Sequence, residues 1–411
     1  MIGIIDCDNF FVSCERRRDP SLEGKPVVVL AGTAAVVARS NEAKKMGISM
    51  SMPYFKLKEQ FGENAVIAIT GDHHYYKETS MEVMAMLKNK VPQMWQYSID
   101  EAFFDLTGVK IDLKEWGEQL AKEIREVVGV PVSVGIAETK TLAKIASHFA
   151  KKYPGYKKCC VIDDIEKRVK ALQLTPIEDV WGIGRRSFDK LKSNGIRTAY
   201  DLTKATEGWL SLNFNKPLLE TRRELLGEDC IPMREDAANK SVSHTRTFPK
   251  MLETKEQLSA EIAGFAASCA ATLRKQHTLA RDINVFLATN HYRADLPQYN
   301  IDKTVKLITP TNLSGTLIKE CLKILDCIYK EGYKYKRAGV TVRNIADDKA
   351  VQTDLFDYDA EEYEKMHKAA GAADEINTKL GRGTIFMGSQ LKSSPSHKAN
   401  ENSETSVTSL S

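Results

Sequence analysis

The segment YSIDEAFFDLTG places two carboxylates, Asp100 and Glu101, side by side within an otherwise apolar run. Neighbouring side chains on a β-strand point to opposite faces, so a straight strand would direct one of the two charges into a core. A turn between two short strands at this point would let both side chains converge on one spot. A divalent metal ion is the usual reason for gathering carboxylates in this way.

Apolar runs typical of buried strands alternate with helical patterns over the first 165 residues. Asp6 lies near the end of the first strand, in MIGIIDCDNFF, and two strands within residues 95–106 meet at Asp100 and Glu101. Strands alternating with helices predict an α/β sheet that carries these three carboxylates. The other predicted strands are residues 25–30, 130–137 and 159–163, and the predicted helices are residues 41–47, 76–88, 113–128 and 141–153.

The rest of the chain has a different organisation. Residues 165–230 have an all-helical pattern, and residues 236–240 form a polar linker. A strand–helix–strand order then occurs twice between residues 242 and 342, which predicts a second small α/β domain. Residues 393–411 are rich in Ser, Thr and Asn, so we expect them to be disordered.

Composition indicates the cellular compartment but does not show whether the protein binds nucleic acid. The 411 residues suffice for about two to four domains, and a net charge of +4 neither requires nor excludes nucleic acid. The 8 cysteines include no CxxC pair, which favours free thiols in a reducing cytosol. No stretch approaches the roughly 20 apolar residues of a membrane span, and the N-terminus lacks a signal-peptide pattern. We therefore expect a cytoplasmic protein without membrane association.

If the strands that carry Asp6, Asp100 and Glu101 are neighbours, three carboxylates meet at one edge of the sheet. Hard oxygen ligands of this kind suit Mg²⁺, which takes its remaining ligands from water and substrate phosphates. Two such ions can activate a hydroxyl and stabilise a leaving pyrophosphate. The alternative is that Asp100 and Glu101 are solvated turn residues and that Asp6 caps a helix.

Several segments, in their order along the chain, resemble the Y-family, the translesion DNA polymerases, and the similarity runs from Met1 to about residue 385. They are MIGIIDCDNFFVSCE, SNEAKKMG, YSIDEAFFDLTG and VSVGIAETKTLAKIASHFAK. A narrower resemblance to the UmuC branch of this family rests on AVVARSNEAK, DVWGIGRR and GRGTIFMGSQ.

The resemblance implies a catalytic centre with two Mg²⁺ ions. Asp6, Asp100 and Glu101 match the catalytic, metal-binding carboxylates of the family, and the backbone carbonyl of Cys7 would be a further metal ligand. One ion would lower the pKa of the primer 3′-hydroxyl, and the other would hold the triphosphate.

The resemblance also implies a nucleotide site. Lys44 and Lys151 match basic contacts to the triphosphate, although the family often has Arg where Lys44 stands. Phe11 matches the steric gate, a bulky ring beneath the sugar that excludes a 2′-hydroxyl, and the sequence leaves open whether Phe10 or Phe11 faces the core. The small side chains of AGTAAVVA fit a loose roof over the nascent base pair, so we expect low fidelity.

Contacts to primer-template DNA are expected in two places. The segment VWGIGRR resembles a helix–hairpin–helix, in which Gly182 and Gly184 let backbone N–H groups approach a phosphate while Arg185 and Arg186 add charge. In the second α/β domain, one strand face could follow phosphates across a groove. The basic residues on or beside its strands are Arg246, Arg281, Lys306, Lys336, Arg337 and Arg343.

A short motif follows the second α/β domain. Within VQTDLFD, the residues Gln352, Leu355 and Phe356 resemble the peptide by which bacterial proteins bind the sliding clamp. Two adjacent apolar side chains in a polar stretch are suitable anchors for a partner's pocket.

Together these features predict an α/β (α+β) multidomain right-hand polymerase. The expected parts are a palm (residues 1–10 and 76–165), small fingers (11–75), a helical thumb (166–235), a βαββαβ-like little finger (241–345) and a C-terminal tail (346–411). The resemblance implies an error-prone translesion polymerase of the SOS response that uses primer-template DNA, deoxynucleoside triphosphates and the sliding clamp. The need for a UmuD-type protein or RecA stays open. So do two alternatives, a DinB-type polymerase working without UmuD and a catalytically idle factor that binds DNA and the clamp.

Overall fold

The computed structural model describes residues 1–32, 35–233, 240–348, 360–381 and 383–390, except for the side chains of 360–363. The chain divides into two compact units, Met1–Asp236 and Ala237–Ser411. Most of the predicted linker, the predicted clamp-binding motif and the predicted disordered tail lie outside the described residues.

The first unit combines two sheets with a series of helices. Its strands are β1 (Ile2–Cys7), β2 (Val27–Ala31), β3 (Ala35–Arg39), β4 (Ile67–Thr70), β5 (Gln93–Gln96), β6 (Glu101–Asp105), β7 (Val132–Ala137) and β8 (Cys159–Ile162). Its helices are α1 (Phe10–Arg18), α2 (Asn41–Lys45), α3 (Tyr54–Phe61), α4 (His73–Lys88), α5 (Leu113–Val128), α6 (Lys140–Lys152), α7 (Ile165–Leu174), α8 (Arg185–Ser193), α9 (Ala199–Lys204), α10 (Glu207–Asn213) and α11 (Lys216–Leu225).

The larger sheet has β1 at its centre, in the order β5-β6-β1-β7-β8. Strand β1 is antiparallel to both β6 and β7, while β7 and β8 are parallel. The sheet is buried on both faces. Ile5 and Phe104 belong to one apolar cluster together with residues of α4 and α5, whereas Ile4 and Phe103 belong to another with residues of α6.

The smaller sheet has the order β3-β2-β4. The sequence pattern predicts β2 but neither β3 nor β4, which have only five and four residues. Both strands are partly exposed, whereas β2 is almost wholly buried. The all-helical pattern of residues 165–230 is confirmed by α7 to α11.

The second unit contains β9 (Ser241–Leu252), α12 (Lys255–Lys275), β10 (Thr278–Thr289), β11 (Asn300–Thr311), α13 (Ser314–Ile328), β12 (Tyr335–Arg343), β13 (Ala346–Asp347) and α14 (Ala360–Leu380). Its main sheet is antiparallel with the order β11-β10-β12-β9. Helices α12 and α13 bury apolar side chains with this sheet in one cluster. The repeated strand–helix–strand order predicted from the sequence is therefore confirmed.

Local sequence signals explain the best-predicted element, α5. Asp112 caps its N-terminus by accepting hydrogen bonds from the backbone of Lys114 and Glu115, and Gly129 ends it in the left-handed conformation at φ 77°. Its buried residues Leu120, Ala121, Ile124 and Val128 recur at helical spacing. Within the described residues, no helix is long and apolar enough to cross a membrane.

Strand β7 approaches α6 so closely that Gly135 has no room for a side chain. A Cβ atom at this position would lie 2.2 Å from both the carbonyl oxygen of Ala143 and the backbone nitrogen of Ser147. We expect Gly135→Ala to lower the free energy of unfolding by about 3 kcal/mol or more, since backbone atoms cannot yield as side chains do. Urea denaturation followed by circular dichroism measures this change.

The matched control is Gly208→Ala. Gly208 lies within α10, and a Cβ atom there would meet no other atom within 4 Å. Alanine favours a helix over glycine by roughly 0.5–1 kcal/mol, so this variant should be as stable as the natural protein or more so. Equal stability of the two alanine variants would contradict the close packing of α6 on β7.

Candidate active site

The pairing of β1 with β6 places the predicted carboxylates at one end of two adjacent strands. Asp6 lies directly opposite Glu101 in the strand register. The backbone N–H of Cys7 donates a hydrogen bond of 2.9 Å to the carbonyl of Asp100. The sequence places Asp6 about 95 residues from the other two acids, so this proximity is a product of the fold.

A tight connection between β5 and β6 orients Asp100 and Glu101. The backbone N–H groups of Tyr97 and Ser98 both donate to the carbonyl of Glu101, at 2.9 and 3.1 Å. The hydroxyl of Ser98 donates to the carboxylate of Asp100. Glu101 is thus the first residue of β6, and the bend covers residues 97–100, so that Asp100 ends the connection and Glu101 begins the strand.

Two lysines of α6 neutralise the opposed carboxylates. Lys144 and Lys151 are seven residues apart, which places them on one face of the helix. The ammonium group of Lys151 donates to Asp6 Oδ1 at 2.7 Å, and that of Lys144 donates to Glu101 Oε1 at 2.6 Å. The sequence analysis selected Lys151 but not Lys144, although the spacing of seven was a signal that could have found it.

Asp8 is a fourth acidic residue of this cluster, and the sequence analysis did not select it. Its side chain is buried, accepts hydrogen bonds from Ser133 at 2.9 Å and Lys158 at 2.6 Å, and lies 3.6 Å from Lys151. Lys151 therefore bridges two carboxylates.

Burial and neighbouring charge shift the pKa values of this cluster. Burial raises the pKa of Glu101, and the nearby charges of Asp6 and Asp100 raise it further, against the opposing effect of Lys144. For Lys151, burial favours the neutral amine, but Asp6 and Asp8 outweigh it and hold the pKa above its ordinary value. Lys151 is therefore charged at neutral pH.

The oxygen donors of Asp6, Asp100 and Glu101, with the carbonyl of Cys7, fit a hard divalent cation such as Mg²⁺ in chemical type. Among the described residues, no three acidic, His or Cys side chains are close enough together to hold a metal ion. Lys144 and Lys151 instead occupy two of the carboxylates. A cation bound here would take over the charge neutralisation that the two lysines provide.

Lys44 lies beside the same cluster. Its ammonium group donates to Asn9 Oδ1 at 2.5 Å, and Asn9 in turn donates to Asn41 Oδ1 at 3.0 Å. Partial desolvation and the positive charge of Lys151 lower the pKa of Lys44. Two ammonium groups near one another form a basic edge that can attract a polyanion.

Phe10 and Phe11 have different environments. Phe10 is buried, whereas Phe11 is half-exposed and its ring stacks on that of Tyr76, with centroids 4.5 Å apart and an interplanar angle of 15°. The question that the sequence left open is therefore answered: Phe10 faces the core, and Phe11 presents part of its ring to the surface.

The glycine turn before α8 is exposed and anchored by one indole. Gly182 adopts φ 88°, and Gly184, Arg185 and Arg186 form the exposed start of α8. The indole N–H of Trp181 donates to the hydroxyl of Tyr97 at 3.1 Å, and its ring packs on Phe103 of β6. This contact fixes the turn next to the segment that orients Asp100.

In the second unit, Arg246 and Arg337 lie on opposite faces of the sheet. Arg246 forms an ion pair of 3.0 Å with Glu261 of α12, on the helix-covered face. Arg337 lies over the ring of Phe286 on the other face, where the strand register also places Lys306 and Arg343. The expectation that Arg246 shares a phosphate-binding face with Arg337 is therefore wrong, because Arg246 alternates in phase with the buried Val242 and Phe248.

Comparisons with known proteins agree with this architecture. A model of the impB/mucB/samB family matches residues 5–148, and one of its C-terminal domain matches residues 239–355. Protein UmuC of Salmonella typhimurium is 37% identical over 95% of this chain and 93% of its own, and Protein MucB of Escherichia coli is 34% identical over 87% and 86%. DNA polymerase IV 1 of Mesorhizobium japonicum is 29% identical over 93% and 85%.

Solved structures give the fold. A Y-family DNA polymerase chimera of Dbh and Dpo4 superposes with a TM-score of 0.67 at 24% identity, covering 84% of this chain and 100% of its own. This likeness confirms the predicted right-hand polymerase fold. From the family models and the identity to Protein UmuC, the chain belongs to the impB/mucB/samB family, the UmuC-type Y-family DNA polymerases.

Proposed function

We propose that this protein is an error-prone translesion DNA polymerase that extends a primer opposite a damaged template. The observation that carries the proposal is the opposition of Asp6 and Glu101 beside Asp100, on a fold shared with Y-family polymerases. An end of a sheet where carboxylates and ammonium groups converge suits phosphoryl transfer, in which catalysis is mostly positioning and charge stabilisation.

Two Mg²⁺ ions held by Asp6, Asp100, Glu101 and the carbonyl of Cys7 would supply charge stabilisation at the primer hydroxyl and the leaving pyrophosphate. Lys44 and Lys151 bind the triphosphate oxygens as point charges. Lys151 is suited to this role because its ammonium group lies at the end of the sheet where the carboxylates meet, 2.7 Å from Asp6. Asp8 remains to hold Lys151 in place when its contact with Asp6 is released.

DNA is held by groups outside this cluster. The exposed turn of Gly182 and Gly184 offers backbone N–H groups to a phosphate, with Arg185 and Arg186 beside it. In the second unit, Arg337 contributes from the face of the sheet opposite its helices. The assignment of Arg246 to DNA binding is less well supported, because its guanidinium is paired with Glu261.

The UmuC type favours a role in SOS mutagenesis together with a UmuD-type protein and RecA. The identity to Protein UmuC, 37%, exceeds the 29% to DNA polymerase IV 1, which disfavours the DinB-type alternative. Primer extension on a damaged template, with and without a UmuD-type protein and a RecA filament, separates the two. Full activity of the chain alone would favour the DinB type.

Glu101→Ala tests the catalytic assignment. We expect nucleotide addition to fall roughly a hundred- to a thousandfold or more, since a bound metal contributes several kcal/mol to transition-state stabilisation. Primer-template affinity should stay near that of the natural protein. Single-nucleotide insertion and fluorescence anisotropy measure the two quantities.

Asp105→Asn is the matched control, because Asp105 ends the same strand and its carboxylate accepts from the backbone N–H of Thr107 at 2.7 Å. It should insert nucleotides at close to the natural rate. A Glu101→Ala protein that is folded and extends primers normally would refute the metal assignment and favour the idle binding factor.

Phe11→Ala tests the steric gate. Loss of the ring opens space for a 2′-hydroxyl, so we expect insertion of ribonucleotides relative to deoxynucleotides to rise about tenfold or more, equivalent to roughly 1.4 kcal/mol of lost discrimination. The ratio of the two kcat/KM values is the measurement. An unchanged ratio would show that the gate lies elsewhere.

We also propose that Gln352, Leu355 and Phe356 bind the sliding clamp, on the basis of the VQTDLFD sequence alone. Buried apolar anchors contribute on the order of 1–4 kcal/mol each, so replacing Leu355 and Phe356 with alanine should weaken clamp binding tenfold or more. Calorimetry measures the affinity, and clamp-free primer extension, which should not change, is the control. Unchanged affinity would remove the motif from the interface.

A further inference from the structure

The ring of Phe11 is supported by a buried network between α1 and α4. Phe11 stacks almost parallel on Tyr76, whose side chain is fully buried. The Tyr76 hydroxyl donates a hydrogen bond of 2.6 Å to Glu15 Oε1, and Glu15 is 5% exposed. A buried carboxylate with a hydroxyl donor holds that donor in a narrow range of positions.

The network follows directly from helical spacing. Phe11, Glu15 and Arg18 stand at positions i, i+4 and i+7 of α1, so they share one face. Arg18 lies 4.0 Å from Glu15 and also pairs at 2.9 Å with Asp72, the residue that caps the N-terminus of α4. Both ends of this face of α1 thus contact the start of α4, Phe11 through Tyr76 and Arg18 through Asp72.

Electrostatics keep the hydroxyl of Tyr76 as a donor. Burial raises the pKa of Tyr76, and the hydrogen bond to Glu15 raises it further. The phenol therefore stays protonated. Of the groups in this network, the ring of Phe11 alone is proposed to face substrate, so Tyr76 and Glu15 act through it.

We propose that Tyr76 and Glu15 are positioning residues for sugar selection: Tyr76 is the platform that fixes the angle of the Phe11 ring, and Glu15 fixes Tyr76. This inference rests on the proposed role of Phe11 as the gate. A gate excludes a 2′-hydroxyl only if its ring cannot tilt away, because a rotated ring leaves the space that the hydroxyl needs. Discrimination between sugars is therefore determined partly in the core between α1 and α4.

The test compares ribonucleotide with deoxynucleotide insertion in a graded series. Tyr76→Leu removes the platform, and the ratio of the two kcat/KM values should rise about two- to tenfold, the change expected from losing one aromatic pair contact. Tyr76→Phe keeps the ring but loses the anchor, so its ratio should lie between those of the natural protein and Tyr76→Leu. Glu15→Gln keeps an acceptor for the hydroxyl and should retain the natural ratio.

Two controls separate positioning from general damage. Tyr75→Leu alters the neighbouring ring, which lies under the guanidinium of Arg18 at 4.1 Å, and should leave the ratio unchanged. In the background of Phe11→Ala, Tyr76→Leu should cause no further rise, because two residues that act through one group are not additive. An additive rise would overturn the proposal.

The outcomes are distinguishable from those of the gate assignment itself. If Phe11→Ala raises the ratio and Tyr76→Leu does not, Tyr76 has no positioning role, and the proposal fails while the gate stands. If Phe11→Ala has no effect, the gate assignment fails and this inference with it. Should Tyr76→Leu not fold, the comparison of Tyr76→Phe with Glu15→Gln decides, and equal ratios in those two variants overturn the proposal.

Discussion

The antiparallel register of β1 and β6 is the constraint on which the candidate site depends. Asp6 faces Glu101 because Ile4 faces Phe103 and Ile5 faces Ala102 in the same ladder. A slip of one residue would exchange the two faces of β1 and expose its buried isoleucines to the wrong cluster. The apolar packing that stabilises the sheet therefore also sets the positions of the carboxylates. No additional interaction is needed to fix the register of β1 and β6.

Gathering acidic groups at a half-buried sheet end creates repulsion that the fold must offset. Helix α6 offsets it with Lys144 on Glu101 and Lys151 on Asp6, while Lys158 neutralises Asp8. Breaking a buried ion pair on one side is costly, because it leaves a charge without a partner. The lysines consequently stabilise the site in the absence of other cations. If a cation were to bind the carboxylates, the same ammonium groups would be free to contact an anion beside it.

Much of this arrangement could be predicted from the sequence, and the failures have physical causes. Helix α5 matches its predicted bounds because amphipathic spacing and capping residues act locally. The helical spacing of seven from Lys151 could have identified Lys144, but its partner Glu101 lies 43 residues away, and no local pattern predicts that long-range ion pair. The face on which Arg246 lies could have been predicted, because Val242 and Phe248 occupy alternate positions on the same side of β9 and are buried. The positive charge of Arg246, considered alone, suggested a solvent-exposed face.

The short segment from Asp6 to Arg18 carries both a carboxylate of the candidate site and Phe11, the proposed gate for sugar selection. Strand β1 ends at Cys7, Asn9 adopts the left-handed conformation at φ 48°, and α1 begins at Phe10. Because the chain changes direction sharply here, Asp6 lies beside the other carboxylates while Phe11, four residues after Cys7, stacks on Tyr76 of α4. Because buried contacts with α4 hold α1 at a distance from the carboxylates, the proposed positioning of the Phe11 ring can change while the geometry of the carboxylates stays the same.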